Sequence, residues 1–347
     1  MGQHIYDLHL DYTGSCYGPS PAVRKAMEDS VDKANSYPYE GYMELKKAIA
    51  KYYKVKPENV MVTNGCDEAI ALITYLFGKR VLIQAPTYSE FERIAKGIKS
   101  EIRIIKSSIR HSRYEINFSK KDLSWATQTW VCTPNNPTGD ITPKEKIIYF
   151  VKNTNGVIAV DEAYYEYCGK SVAGLVDKYE NLIVTRTFSK AYATEGIRLG
   201  YIIANPKLIS ALENSTQEFN VNRAARAAGL AVFKSIGYYK KSMAMLHRIK
   251  NSFEKSCKSL GFKLIDHNSP FTLILFRSDK ERDFYHDGLE KMGIYTLSNT
   301  HEEFTGFSDP CIRIAIGNEK QMQIAKKALE ELSKEYKKLR KNNSLYH

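Results

Sequence analysis

The chain has 347 residues, of which 43% are hydrophobic and 26% charged, with a formal net charge of +12. This is ordinary globular composition with chain enough for about two domains, and it excludes collagen, long coiled coil and wholesale disorder. No apolar run reaches the roughly 18 residues of a membrane helix, so no membrane association is expected.

In chain order, Ser20 followed by Pro21 reads as an N-cap and first helical residue. A helix is expected over 43–53 and a strand over 60–63. A second helix sets Ile70, Ile73, Leu76 and Phe77 on one face. Strands follow at 81–84, 102–105 and 129–132, a helix at 143–151, and strands at 157–160, 182–185 and 199–203. Several of these runs are short and almost wholly apolar, as strands covered on both faces are. Repeated strand–helix–strand units predict an α/β fold with a mostly parallel, helix-covered sheet. After about residue 250 come a helix, a strand at 273–276, a helix over 283–292, a strand at 312–315 and a last amphipathic helix. That helix lines up Ala325, Ala328, Leu329 and Leu332. The ends therefore suggest a small α+β domain: 1–42 joining it, 43–245 forming the large domain, and 246–347 forming the small one.

The six cysteines (Cys16, Cys66, Cys132, Cys168, Cys257, Cys311) are far apart with no CxxC pair, which fits a reducing cytoplasm. No secretory leader is read in the first ten residues. The positive charge is spread along the chain, except at Lys334, Lys337, Lys338, Arg340 and Lys341. Glu330, Glu331 and Glu335 interrupt that cluster, so a solvated helix end is expected and no nucleic-acid partner.

Four segments carry chemistry. Lys190 follows an expected strand directly, flanked by the hydroxyls of Thr187 and Ser189, with Arg198 eight residues on. Ligands of α/β sheets bind at that edge. A nucleophilic amine needs desolvation and a nearby cation; a phosphate needs hydroxyls, an arginine and free N–H groups. One segment meets both demands, although a lone lysine in a loop is usually a solvated one. Asp161, Glu162, Ala163 and Tyr164 follow another apolar strand, where a carboxylate could hold a ring nitrogen protonated and Tyr164 could donate to the same ring. Thr133 to Gly139 reads Thr-Pro-Asn-Asn-Pro-Thr-Gly, a rigid loop that presents the Asn136 amide. Gly65, Cys66, Asp67 and Glu68 open a helix after a strand, an anion site in which the two acids could equally be first-turn residues.

Together these segments resemble the pyridoxal-phosphate-dependent aminotransferases of fold type I, within the class II group that includes histidinol-phosphate aminotransferase. Tyr17 to Pro21 (Tyr-Gly-Pro-Ser-Pro) and Arg313 in Ile312-Arg313-Ile314 match in order too. The resemblance implies a large domain around a mostly parallel sheet and a small α+β domain. It implies that pyridoxal 5'-phosphate is bound covalently by Lys190, which also shuttles a proton, and that Asp161 pairs with the ring nitrogen. Asn136 and Tyr164 would reach the ring oxygen, and Tyr88 would stack on the ring. Thr187, Ser189, Arg198 and the backbone of Gly65, Cys66 and Asp67 would hold the phosphate. Tyr37 would reach the phosphate of a neighbouring subunit, implying a homodimer. Arg313, with Tyr17, would bind substrate. Arg186 matches a position near the phosphate, with a structural ion pair as the alternative. Asn220 and Asn222 match a segment expected at the dimer interface, where packing is the favoured role.

Two departures fall on the substrate side. The family usually reads Asn-Glu-Asn-Pro where this chain has Thr13, Gly14, Ser15 and Cys16, so its acidic residue is missing. An arginine expected shortly after Gly293-Ile294 is absent too; Tyr295, Thr296 and Leu297 stand there, and the stretch to Arg313 is lengthened. The reading is an aminotransferase that moves an amino group from an amino acid, with L-glutamate expected, to a small carbonyl compound, phosphorylated or not. Histidinol phosphate is not the expected substrate. The competing enzyme reading is a decarboxylase of a phosphorylated hydroxy-amino acid, similar to threonine-phosphate decarboxylase.

Overall fold

The computed structural model describes residues 6–110, 113–301, 304–305 and 309–341. Residues 1–5, part of the stretch read for a leader, lie outside them. A seven-stranded sheet forms the centre. Its strands lie side by side in the order Val60–Thr63, Gly200–Ala204, Leu182–Thr187, Val157–Asp161, Gln128–Cys132, Arg80–Ala85 and Glu101–Lys106. Gly200–Ala204 runs antiparallel to both its neighbours, and the other pairs are parallel. Six strands therefore end on one edge of the sheet.

Alternation along each strand divides the core into two layers. Val62, Leu82, Val131, Ile158, Val160, Val184 and Tyr201 face one side; Met61, Ile83, Trp130, Ala159, Ile183 and Ile202 face the other. Burial on both faces is why these runs are almost uniformly apolar. The first layer packs with Leu45 and Ile49 of the helix Met43–Tyr53 and with Ala225 and Ala228 of Arg223–Lys234. The second packs with Ile70 and Ile73 of Gly65–Phe77 and Phe91 of Glu90–Gly97.

The small domain has a four-stranded sheet in the order Lys263–Leu264, Phe271–Leu275, Cys311–Ala315, Leu297–Ser298. Helices Asp279–Lys291 and Glu319–Lys341 cover it, and Ala325, Ala328, Leu329 and Leu332 all reach its core. Leu8–His9 pairs in parallel with Ile294–Tyr295 of this domain. The segment 1–42 divides, however. Ser20 caps helix Pro21–Val31 by accepting from the Val23 N–H at 3.2 Å, and Val23 lies in the large-domain core. The expected boundary at 245 falls inside the helix Ile236–Ser259: Tyr239 packs on the large domain and Leu246 and Phe253 on the small one. In the lengthened stretch before Arg313, the backbone of Phe304–Thr305 pairs with Thr87–Tyr88 of the large domain. No described helix is long and apolar enough to cross a membrane.

Candidate active site

Topology brings the predicted residues to one edge. Tyr88 follows the strand Arg80–Ala85, Asn136 follows Gln128–Cys132, Asp161 ends Val157–Asp161, and Lys190 follows Leu182–Thr187. Gly65 to Asp67 follow Val60–Thr63, and Arg198 precedes the antiparallel Gly200–Ala204, whose first residue pairs with both Thr63 and Thr187. Each strand delivers its loop to the carboxyl edge, where α/β sheets bind ligands.

Asp161 is buried. Its Oδ1 accepts from the Ala163 N–H at 3.0 Å, the Thr185 hydroxyl at 3.3 Å and the Cys66 thiol at 3.8 Å. Burial outweighs these bonds and pushes its pKa from 3.8 up to about 6. Lys190 is part-buried. Burial lowers its pKa; Arg313 and Arg198 act in the same direction, and Glu195 and Asp67 oppose it. Its Nζ lies 4.0 Å from Glu195 Oε2.

The anion side is assembled from three pieces. The Thr187 and Ser189 hydroxyls stand 2.9 Å apart, and the Ser189 N–H donates to Thr187 Oγ1 at 3.0 Å. Arg198 Nη2 pairs with Asp67 Oδ2 at 2.6 Å, and Tyr88 donates to Asp67 Oδ1 at 3.4 Å. Gly65 sits at φ +75°, and a Cβ there would fall 2.7 Å from Arg198 Nη2. A side chain at 65 would therefore displace the guanidinium as well as strain the backbone.

Arg313 comes from the small domain. Its strand sends Ile312 and Ile314 into the small-domain core and turns Arg313 toward the large domain. There Nη1 donates to Asn136 Oδ1 at 2.6 Å and Nη2 to the Asp11 carbonyl. Tyr164 is buried, its hydroxyl 2.9 Å from Thr13 Oγ1; burial pushes its pKa up to about 12, with Arg313 opposing.

Some predicted residues lie elsewhere. Tyr37 is exposed and stacks on Phe219 at 4.9 Å. Tyr17 packs on the small-domain core, its carbonyl accepting from the Tyr238 hydroxyl at 2.9 Å. Arg186 is not near the anion side. Strand alternation turns it to the face opposite Thr185 and Thr187, where it is buried against Glu162 at 2.6 Å between the rings of Tyr53 and Tyr165. The structural alternative holds for it. Asn220 ties Glu68 and the Val62 carbonyl, and Asn222 caps Arg223–Lys234, both within this chain. Glu68 accepts from Asn64 N–H, Thr216 and Asn220, the role of a first-turn acid.

Sequence reasoning missed Thr13, Thr185 and Glu195. Glu195 had a signal: a carboxylate in the same turn as the key lysine. Thr13 and Thr185 had none, since their roles come from tertiary contact. A cavity of about 820 Å³ opens on the far side of the 133–140 loop, lined by Gln84, Trp130, Asn135 and His267 but not by Lys190, Asp161 or Arg198. Lys190, Asp161 and Arg198 thus stand apart from that cavity.

The residues fit pyridoxal phosphate on their own terms. A buried carboxylate with a raised pKa calls for a cationic partner, which a protonated ring nitrogen supplies. Two hydroxyls, an arginine and the N-terminus of a 13-residue helix form a phosphate donor set, with glycine at the one position where a Cβ would intrude.

The chain matches the family model for aminotransferase class I and II over residues 10–329. It is 30% identical over 328 residues to histidinol-phosphate aminotransferase of Clostridium novyi (strain NT), spanning 91% of this chain and 89% of that one. The structure of histidinol-phosphate aminotransferase from Clostridium acetobutylicum superposes with a TM-score of 0.84 at 25% identity, covering 94% of this chain and 99% of that one. The Sinorhizobium meliloti enzyme of that name, solved in complex with pyridoxal-5'-phosphate, gives 0.82 at 22% identity, covering 95% and 91%. The family match runs through every segment of the sheet edge, and the chain belongs to the class I and II aminotransferases, fold type I enzymes that depend on pyridoxal phosphate.

Proposed function

We propose that this aminotransferase moves an amino group from an amino acid, L-glutamate being the donor, to a small carbonyl compound other than the keto partner of histidinol phosphate. The observation that carries the reading is Lys190, its amine lowered in pKa, on the same sheet edge as buried Asp161 and the inward-turned Arg313.

Pyridoxal phosphate, when bound, supplies an aldehyde that carries the amino group and a ring that takes up electrons. The chain does the rest. Lys190 Nζ would hold the aldehyde carbon and, as a free amine, would carry the proton from the substrate α-carbon to that carbon. Asp161 would hold a proton on the ring nitrogen. Thr187, Ser189, Arg198 and the N–H groups of Gly65, Cys66 and Asp67 would bind the phosphate. Tyr88 would stack on the ring, and Asn136 and Tyr164 would bind its oxygen. Arg313 would grip the substrate carboxylate with two N–H groups, which would orient the α-carbon toward Lys190. The enzyme works as a homodimer in which Tyr37 reaches the neighbouring subunit's phosphate; its exposure beside exposed Tyr39 supports a covered surface there.

The test is to mix holoenzyme with single amines and follow the visible absorbance. Glutamate should convert the band stoichiometrically without release of carbon dioxide. Carbon dioxide release from a phosphorylated hydroxy-amino acid would speak for the decarboxylase instead.

A further inference from the structure

One carboxylate at the mouth of the site has no part in the reaction outlined above. Glu195 is half exposed, and its Oε2 lies 4.0 Å from Lys190 Nζ. It rests against the N-terminal loop: a Cβ built on Gly14 would fall 2.6 Å from Oε1 and 2.7 Å from Oε2. Any side chain at 14 would push Glu195 away, so the bare glycine is what admits the charge. Thr13, one residue earlier, bonds Tyr164 at 2.9 Å and pins that loop to the site.

In the free protein the Lys190 ammonium balances Glu195. Glu195 keeps a half-exposed carboxylate beside the lysine, open to a cation that a substrate brings in. Asp67, the other acid near Lys190, is already paired with Arg198. On the small-domain side, Leu273 and Leu297 sit directly across from Arg313 in the sheet, and both are buried in an apolar cluster with Cys311. Neither leucine offers a charge to a substrate, and Glu195 stands as a half-exposed carboxylate beside Lys190 Nζ.

We propose that Glu195 is a specificity-determining residue that selects, as the substrate exchanged against the common donor, an amine with a positively charged side chain over one ending in phosphate or carboxylate. This rests on the aminotransferase reading with Lys190 as the cofactor lysine.

The test uses holoenzyme, wild type, Glu195→Gln and Glu195→Asp, and three unreactive carboxylates of similar length: 4-guanidinobutanoate, pentanoate and glutarate. Calorimetry should show wild type binding 4-guanidinobutanoate on the order of tenfold more tightly than glutarate, the size expected of one partly screened charge. Glu195→Gln should erase the preference, and Glu195→Asp should keep its sign. In half-reactions, Glu195→Gln should raise KM for L-arginine and lower it for L-glutamate. A residue with only a structural role would move all ligands together. The same binding ratios in wild type and Glu195→Gln would overturn the proposal while leaving the aminotransferase reading intact. A wild-type preparation whose visible band with pyridoxal phosphate persists in Lys190→Ala would overturn both.

Discussion

The cofactor side and the substrate side of this site are built by different means. On the cofactor side most of the residues stand within four positions of a strand's carboxyl end: Tyr88 after Ala85, Asn136 after Cys132, Asp161 at its strand's last position, Lys190 after Thr187; Arg198 instead precedes the antiparallel Gly200–Ala204. Once the strands register, the residues are placed. On the substrate side, Arg313 comes from a small-domain strand, Asp11, Thr13 and Gly14 from the N-terminal loop, and Glu195 from a turn. Arg313 and the Asp11 carbonyl it binds are 302 residues apart. Such a region can exchange residues without disturbing the sheet. Substitutions on the first side should therefore act on all amines alike, and those on the second should discriminate among them.

The largest effect expected is that of Lys190→Ala. Loss of the proton-transfer amine should lower kcat on the order of a hundredfold to ten-thousandfold, for every amine equally, measured in single-turnover half-reactions. A residual rate that depended on the amine would break the comparison, because it would put discrimination on the cofactor side.

Asp161 gives a second test of that side, through stability. Its pKa in the folded, cofactor-free protein is about 6 against 3.8 ordinarily. A raised carboxylate pKa favours the protonated form on folding. The stabilisation is therefore complete below about pH 4 and is lost as pH rises through about 6. About two pKa units correspond to roughly 3 kcal/mol. Urea denaturation of the cofactor-free protein should show wild type losing on the order of that much relative to Asp161→Asn between pH 4 and pH 7. Parallel pH curves for the two proteins would show that burial does not act on Asp161 as described.

How much of this was legible follows the same division. Six of the large-sheet strands and the loops after them could be read because burial on both faces writes a short apolar run, and the loop chemistry comes right after it; the edge strand Glu101–Lys106 is only part-buried. Arg186 shows the limit of that reading: its match to a family position left the anion side and an ion pair both open, and alternation, which sends neighbouring residues to opposite faces, turns it to the ion pair. Helix Pro21–Val31 was legible as a helix from Ser20 and Pro21, while its packing partner was not, because Val23 buries itself on an element some 200 residues later. Thr13 was hidden in the same way, since nothing in its neighbourhood records that it meets Tyr164; Glu195 was legible as a carboxylate near the lysine, but its contact with Gly14 was not.

On the substrate side, Arg313→Lys should raise KM for carboxylate-bearing donors about tenfold to a hundredfold, the loss of a paired, charge-assisted contact. The visible spectrum of the resting enzyme should hardly move. An amine without a carboxylate should be almost indifferent to the change, and steady-state kinetics with matched amines would show it. An equal loss for both kinds of amine would mean that Arg313 acts through its bond to Asn136, on the cofactor side.

The smallest effect expected, Gly65→Ala, separates the two sides most cleanly. The φ of +75° costs a residue with a Cβ about 1–2 kcal/mol. The added methyl must also move Arg198, because its position lies 2.7 Å from Nη2. Arg198 can yield only by loosening its pairing with Asp67, which is partly exposed and so gives way at modest cost. The result should be weaker binding of pyridoxal phosphate by roughly fivefold to thirtyfold, read by fluorescence titration of the cofactor-free protein. Amine KM values at saturating cofactor should hardly change: Arg198 also donates to the Glu195 backbone carbonyl at 2.9 Å, but that bond holds the main chain and not the Glu195 carboxylate. A shift in amine preference would mean that the anion site and the substrate mouth are coupled, and that the division between them does not hold.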